Sequence, residues 1–263
     1  MWAGPWRENF DGSEGPRRRT RRNFRAGEGP EDGRPMLILA VDTTTPSGSV
    51  ALLRDGDLAG EFGLESRSTH SSRLLGAIDL LVRAAGSDIR EIGGYAVAAG
   101  PGSFTGIRIG LGAVKALAFA SGMPVAPVSS LKALASKLAD PPVRLACPVL
   151  DAKKGEIYAA LFERRASGLV ELIPEGAYDP DAFFARLPAR RVTAFIGNGL
   201  ILYKERLLPY VRDKARFPRR SRFIAAEVGR LGYAMLREGK GVGAAELEAL
   251  YYRRSQAEEK TAA

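Results

Sequence analysis

Residues 98–110 read AAGPGSFTGIRIG: an apolar run enters two glycines that bracket Pro101, and a segment with helical spacing follows from about Ser103 to Ser121. A strand that turns into a helix through glycine can hold phosphate, because backbone N–H groups and the helix N-terminus face the anion. Here Pro101 has no N–H, and Ile107 follows Gly106 where a lysine would complete the Walker pattern. Two readings stand. In one, Gly100, Gly102 and Ser103 cradle a nucleotide. In the other, Gly100 and Gly102 permit a tight turn, Ser103 caps the helix, and Gly106 and Gly110 let it pack closely.

Outward from this loop the chain has a readable order. LILAVD (37–42) predicts a buried strand ending in an acid, SVALLR (49–54) and DLAGEFG (57–63) a hairpin about Asp55-Gly56, and 71–85 a helix. YAVAAG (95–100) is the strand that enters the loop, and PVAPVSS (124–130) begins a further strand and helix. LACPVLD (145–151) is again a strand ending in an acid, EIYAALFERR and LVELI form a hairpin about Gly168, and AFIGNGL (194–200) runs into glycines. Asp42 and Asp151 thus hold the same place in two copies of one design. The expected architecture is α/β: two tandem lobes, each a mixed sheet with flanking helices, at 36–141 and 142–263, with the default site in the cleft between them.

Composition narrows the chemistry. At 263 residues and 45% hydrophobic, the chain can bury one large or two modest cores. Cys147 is the single cysteine and His70 the single histidine, which excludes an internal disulfide, a multi-cysteine zinc site and a multi-histidine metal site within the chain. A reducing compartment is expected. The charge-poor stretch 109–125 falls short of the roughly 20 apolar residues of a spanning helix, so no membrane segment is expected. Of the net charge of +9, residues 1–35 supply +2, with eight arginines against six acids. That leader has almost no aliphatic residues and is expected to be disordered, Met36 standing as an alternative start.

LILAVDTTT, HSSRLL, GPGSFTGIRIGL, PVSSLKALA, DAKKGEIYAALF and YYRRSQAEEK resemble successive blocks of the bacterial TsaB (YeaZ) family, from Met36 to about Lys260. The resemblance implies two actin-like ATPase (RNase H-like) lobes. It also implies a non-catalytic, cytoplasmic scaffold subunit that heterodimerises with TsaD, a paralogous threonylcarbamoyl transferase. TsaD, with TsaE and the product of a TsaC-type enzyme, places threonylcarbamoyladenosine next to the anticodon of tRNAs reading A-starting codons. The chain would reach tRNA through the complex and would form a homodimer when alone. No cofactor is expected for this chain, whereas ATP and a metal ion are expected in the complex.

Actin-like ATPases follow the first-strand Asp closely with Gly and Thr, so that amides hold phosphate and the carboxylate orients magnesium-bound water. Here Asp42 precedes Thr43, Thr44 and Thr45, and the first glycine is Gly48. Asp42, Thr43 and Thr44 are therefore either vestigial nucleotide ligands or turn-capping residues at a strand end. Where the resemblance places the two metal-binding histidines of TsaD, this chain has Ser130 and Leu134. Neither replaces an imidazole.

Two helices carry more apolar surface than one buried face requires. In 71–85, Leu74, Leu75, Ile78, Leu81, Val82 and Ala85 make one stripe and Ala77, Leu80 and Ala84 another; in 103–121, Gly112, Ala116 and Ala120 recur every four residues opposite Ile107, Leu111, Val114 and Ala118. The resemblance pairs these helices with a partner's, and His70, Leu74, Ile78, Leu81, Ile109, Gly110, Gly112, Ala113 and Ala116 are the expected interface. KARFPRRSRF (214–223) offers Lys214, Arg216, Arg219, Arg220 and Arg222 as candidate RNA contacts, with Arg186, Arg190 and Arg191 as a second cluster. Two enzyme readings compete with the scaffold: an actin-like ATPase or sugar kinase, and a glycoprotease-like peptidase using Cys147 or a serine with His70.

Overall fold

The computed structural model describes residues 35–65, 71–138 and 143–252. The leader, His70, the Pro141-Pro142 junction and the tail beyond Tyr252 lie outside the described residues. In the first half, β1 (Leu37–Asp42), β2 (Ser47–Arg54) and β3 (Asp57–Glu65) precede α1 (Ser71–Ala84), then β4 (Ile92–Gly100), α2 (Phe104–Ser121), β5 (Val125–Ser129) and α3 (Ser130–Ser136). The second half repeats this with β6 (Leu145–Lys153), β7 (Glu156–Arg165), β8 (Gly168–Tyr178), α4 (Pro180–Phe184), β9 (Thr193–Ile196), α5 (Leu200–Val211), β10 (Ala215–Arg216) and α6 (Ala225–Arg237).

The sheets run β3-β2-β1-β4-β5 and β8-β7-β6-β9-β10, so strand follows strand in the same spatial order in both. Pairing sense repeats too: β1 is antiparallel to β2 and parallel to β4, and β6 is antiparallel to β7 and parallel to β9. Local chemistry sets the turns. Asp55 and Gly56 both have positive φ, 51° and 88°, as a tight hairpin requires. Ser103 caps α2 by accepting from the Gly106 N–H, and Gly122, at φ 74°, ends it in the left-handed conformation.

Alternation along the strands divides the core into three. One face of the first sheet packs on α1 and α2 through Leu39, Val41, Val97, Ile107 and Val114. One face of the second packs on α4 and α5 through Val149, Leu161, Phe184 and Leu207. Between the sheets lie α3 and α6, with Ile38, Ala96, Leu131, Phe162 and Val228. The middle helices exchange: α3, from the first half, packs on β6, while α6, from the second half, packs on β1, β2, β4 and β5. Gly229 and Gly232 make this possible, since a Cβ there would stand 2.0 Å from Leu53 and 2.4 Å from Ala96. α6 therefore lies against the first sheet although the expected boundary puts it in the second lobe at 142–263, and it shares the middle core with Ala146, Leu150 and Phe162 of the second sheet. The cause is a long-range exchange that local patterning does not encode.

Among the described residues α2 alone has the length and composition of a membrane-crossing helix, a property that core helices of globular proteins share, so the expectation of no membrane segment is not overturned. Its Ile107, Leu111, Val114 and Ala118 are buried on its own sheet, and its opposite face is exposed.

Candidate functional site

The parallel strands bring the acid at the end of β1 and the glycine loop after β4 together. Asp42 is fully buried; its Oδ1 accepts from the Thr44 N–H at 2.9 Å and the Thr44 hydroxyl at 2.6 Å. Its Oδ2 is buried with no hydrogen-bond partner among the described residues. Burial pushes the Asp42 carboxyl up to about 6, against the lowering effect of the two Thr44 hydrogen bonds, with nearby Glu61 adding to the rise.

Thr43 and Thr44 occupy the space against the loop. The Thr43 hydroxyl donates to the Gly106 carbonyl at 2.7 Å, and the Ser103 N–H donates to the Thr44 carbonyl at 2.7 Å. A Cβ on Gly102 would lie 2.4 Å from the Thr44 carbonyl oxygen, and one on Gly106 2.0 Å from that of Thr43. Gly100 has φ 124° and meets the backbone of Leu250, whose N–H donates to the Ala99 carbonyl. The backbone of Thr43 and Thr44 thus packs directly on Gly102 and Gly106, and the Ser103 and Gly106 amides are engaged within the protein, so neither amide is offered to a phosphate.

The second copy repeats the plan with a more open acid and no side-chain cap on its helix. Gly197, at φ 121°, packs on the Val149 carbonyl, Asn198 accepts from the Asp151 N–H at 3.1 Å, and α5 begins after Gly199. The Asp151 carboxylate accepts from the Lys153 N–H and pairs with the Lys153 ammonium at 2.6 Å. Between the lobes a cleft of about 160 Å³ is lined by Thr44, Thr45, Leu134, Asn198, Ile201 and Arg222. Ordinary small-molecule sites run from roughly 300 to 1,000 Å³, so this cleft is small for a nucleotide. Ser130 and Leu134 are both buried on α3, with the Ser130 hydroxyl donating to the Pro101 carbonyl. Among the described residues no group of three or more His, Cys, Asp and Glu side chains could hold a metal ion. Cys147 is fully buried, and burial pushes its thiol far above the usual range, away from the thiolate a nucleophile needs.

The helix pair α1–α2 differs from expectation in which side chains it offers. Leu74, Ile78 and Leu81 are buried on β2 and β3, so they belong to the protein's own core. The outward side of α1 carries Leu80, 54% exposed, and also Leu75, 59% exposed, which spacing groups with the buried stripe. On α2, Gly110 is buried, and a Cβ there would sit 2.4 Å from the Thr43 hydroxyl, so its smallness serves β1. Ile109 and Ala113 are half-buried against the core, whereas Gly112 and Ala116 are exposed. Phe119, 85% exposed, extends that outward face, a residue the small-residue stripe alone did not signal. Lys214, Arg216, Arg219, Arg220 and Arg222 follow α5 along β10 toward α6; Arg222 reaches the cleft and Lys214 pairs with Asp213 at 2.7 Å.

A family model described as TsaD: tRNA N6-adenosine threonylcarbamoyltransferase matches residues 64–192. The chain is 31% identical over 173 residues to the tRNA threonylcarbamoyladenosine biosynthesis protein TsaB of Bacillus subtilis, covering 65% of this chain and 74% of that one. It is 36% identical over 136 residues to the protein of the same name from Escherichia coli, covering 51% of this chain and 58% of that one. Its structure is similar to that of a Pseudomonas aeruginosa protein described as having similarity to peptidase YeaZ, with a TM-score of 0.72, 28% identity, and coverage of 83% of this chain and 100% of the other.

Proposed function

Since the chain belongs to the TsaB (YeaZ) family, we propose that it serves tRNA threonylcarbamoyladenosine biosynthesis as a subunit without chemistry of its own, pairing with a TsaD transferase through α1 and α2. The observation that carries this reading is the outward face of the helix pair. Leu75 and Leu80 on α1 and Phe119 on α2 expose large apolar surface on two helices that cover the same face of the first sheet, and Gly112 and Ala116 on the exposed side of α2 are small enough to let a second helix approach closely. Removing such a face from water stabilises a complex at roughly 25 cal/mol per Å² of apolar area.

The same positions would take a second copy of this chain when the transferase is absent. ATP and a metal ion would then be held by the rest of the complex, in keeping with the closely packed loop at Gly102 and Gly106. TsaE and the product of the TsaC-type enzyme would act on that assembly, and the chain itself would work in the cytoplasm.

Reconstitution tests this reading. Transferase, TsaE, the threonylcarbamoyl donor, ATP and unmodified tRNA should incorporate threonine only when this chain is added, and the chain alone should turn over no ATP. Full incorporation without the chain, or steady ATP hydrolysis by it that Asp42→Ala abolishes, would contradict the proposal.

A further inference from the structure

The register of the second sheet brings together basic residues that lie far apart in the sequence. β6, β9 and β10 are parallel neighbours, with Leu145 opposite Thr193 and Thr193 opposite Ala215. Their starts therefore align, at about 4.8 Å from strand to strand. Arg144 precedes the first, Arg190 and Arg191 the second, and Arg212 and Lys214 the third. From that end the chain continues as the edge strand β10 and then through the exposed Arg219 and Arg220 to Arg222 at the cleft.

The segments that build this strip, 143–145, 190–192 and 212–222, contain one acid, Asp213, which pairs with Lys214. Glu163, at the end of β7 beside Leu145, takes Arg191 and Arg165. Arg144, Arg190, Arg212 and Arg219 are exposed. Like charges at this spacing repel, and a polyanion relieves the repulsion while releasing its own counterions. The aromatic ring in the strip faces inward: Phe217 stacks on Phe195 with a 5.7 Å centroid separation, and the Lys204 ammonium lies 4.6 Å from its centre. Such a surface suits a phosphate backbone better than a lipid surface, which would take inserted apolar side chains.

We infer that the strip from Arg144 through Arg190 and Arg212 to Arg219 is a docking surface for the phosphate backbone of structured RNA. On the reading above, on which this inference rests, that RNA is the tRNA undergoing modification. The contact is sequence-independent and sets where the tRNA lies on the complex, not which tRNA is chosen.

The test uses the full chain and fluorescently labelled, unmodified tRNA, with anisotropy measured between 50 and 200 mM KCl. The variant Arg190→Glu/Arg212→Glu/Arg219→Glu should bind at least about tenfold more weakly, with a log–log salt slope shallower by about 2 to 3. Circular dichroism and capture of the transferase should not change. Should the triple reversal unfold, the corresponding Gln variant decides, with an expected loss of at least about threefold. Unchanged affinity and slope, no tRNA binding by the parent chain, or a charge-reversal effect on anionic vesicles but not on tRNA would each overturn the inference. Loss of transferase capture by the parent chain would instead count against the proposed function.

Discussion

Thr43 and Gly106, 63 residues apart, are joined by a 2.7 Å hydrogen bond in which the threonine hydroxyl donates to the helical carbonyl. The bond fastens the end of β1 to the first turn of α2, and the glycine exists to let the Thr43 carbonyl approach. Gly106→Ala puts a methyl 2.0 Å from that oxygen, so backbone must move. The expected cost is about 1 to 3 kcal/mol or more, read as a thermal midpoint lower by several degrees. Gly112→Ala, where nothing lies within 4 Å, should instead gain about 0.5 to 1 kcal/mol from helix propensity in the isolated chain. Equal midpoints for the two variants would contradict this assignment of the glycines.

Asp42 makes stability pH-dependent in a defined direction. Its folded carboxyl titrates near 6, above the ordinary value of 3.8, so between about pH 4 and 6 the folded state binds more protons than the unfolded state. Stability from this group is therefore present at low pH and lost as pH rises through that window, by about 3 kcal/mol in all. Asp42→Asn removes the titration. Its midpoint relative to the parent should rise from pH 5 to pH 7.5, and parallel pH profiles for the two proteins would show that the buried carboxylate is compensated.

The two stripes of α1 show what the sequence could and could not disclose. Strand ends, hairpin turns and the Ser103 cap are local chemistry, and the structure places them where patterning does. Spacing groups Leu75 with Leu74, Ile78 and Leu81, yet it is exposed with Leu80 of the other stripe: both stripes are apolar, and only the angle at which α1 lies on β2 and β3 decides which side chains are core. The exchange of α3 and α6 between sheets leaves no local signature either. Arg190 and Arg212 are brought to one end of the second sheet by the pairing of Thr193 with Ala215, which no window of sequence contains.

Tyr252 links the last described residues to the second sheet. Its hydroxyl donates to Glu175 at 2.9 Å, and the same carboxylate accepts from the Ser129 hydroxyl at the start of α3. Tyr252→Phe should cost about 0.5 to 1.5 kcal/mol. It should also speed hydrogen exchange at the Leu250 N–H, which bonds to the Ala99 carbonyl beside the glycine loop. Unchanged exchange at Leu250 would mean that the two contacts are independent.

The outward face of α1 and α2 carries the account, and Ala116 is its most direct probe, being exposed on α2 where Ala113 is half-buried. The decisive measurement is the affinity of the transferase for the Ala116→Arg chain, by sedimentation, with circular dichroism on the same sample. A long charged side chain there should overpack the helix contact at about 1 to 3 kcal/mol and leave the lobe behind it folded. The account predicts native circular dichroism with affinity weaker by about tenfold or more, since about 1.4 kcal/mol is one decade. Native circular dichroism with unchanged affinity would contradict it and place the partner on another surface.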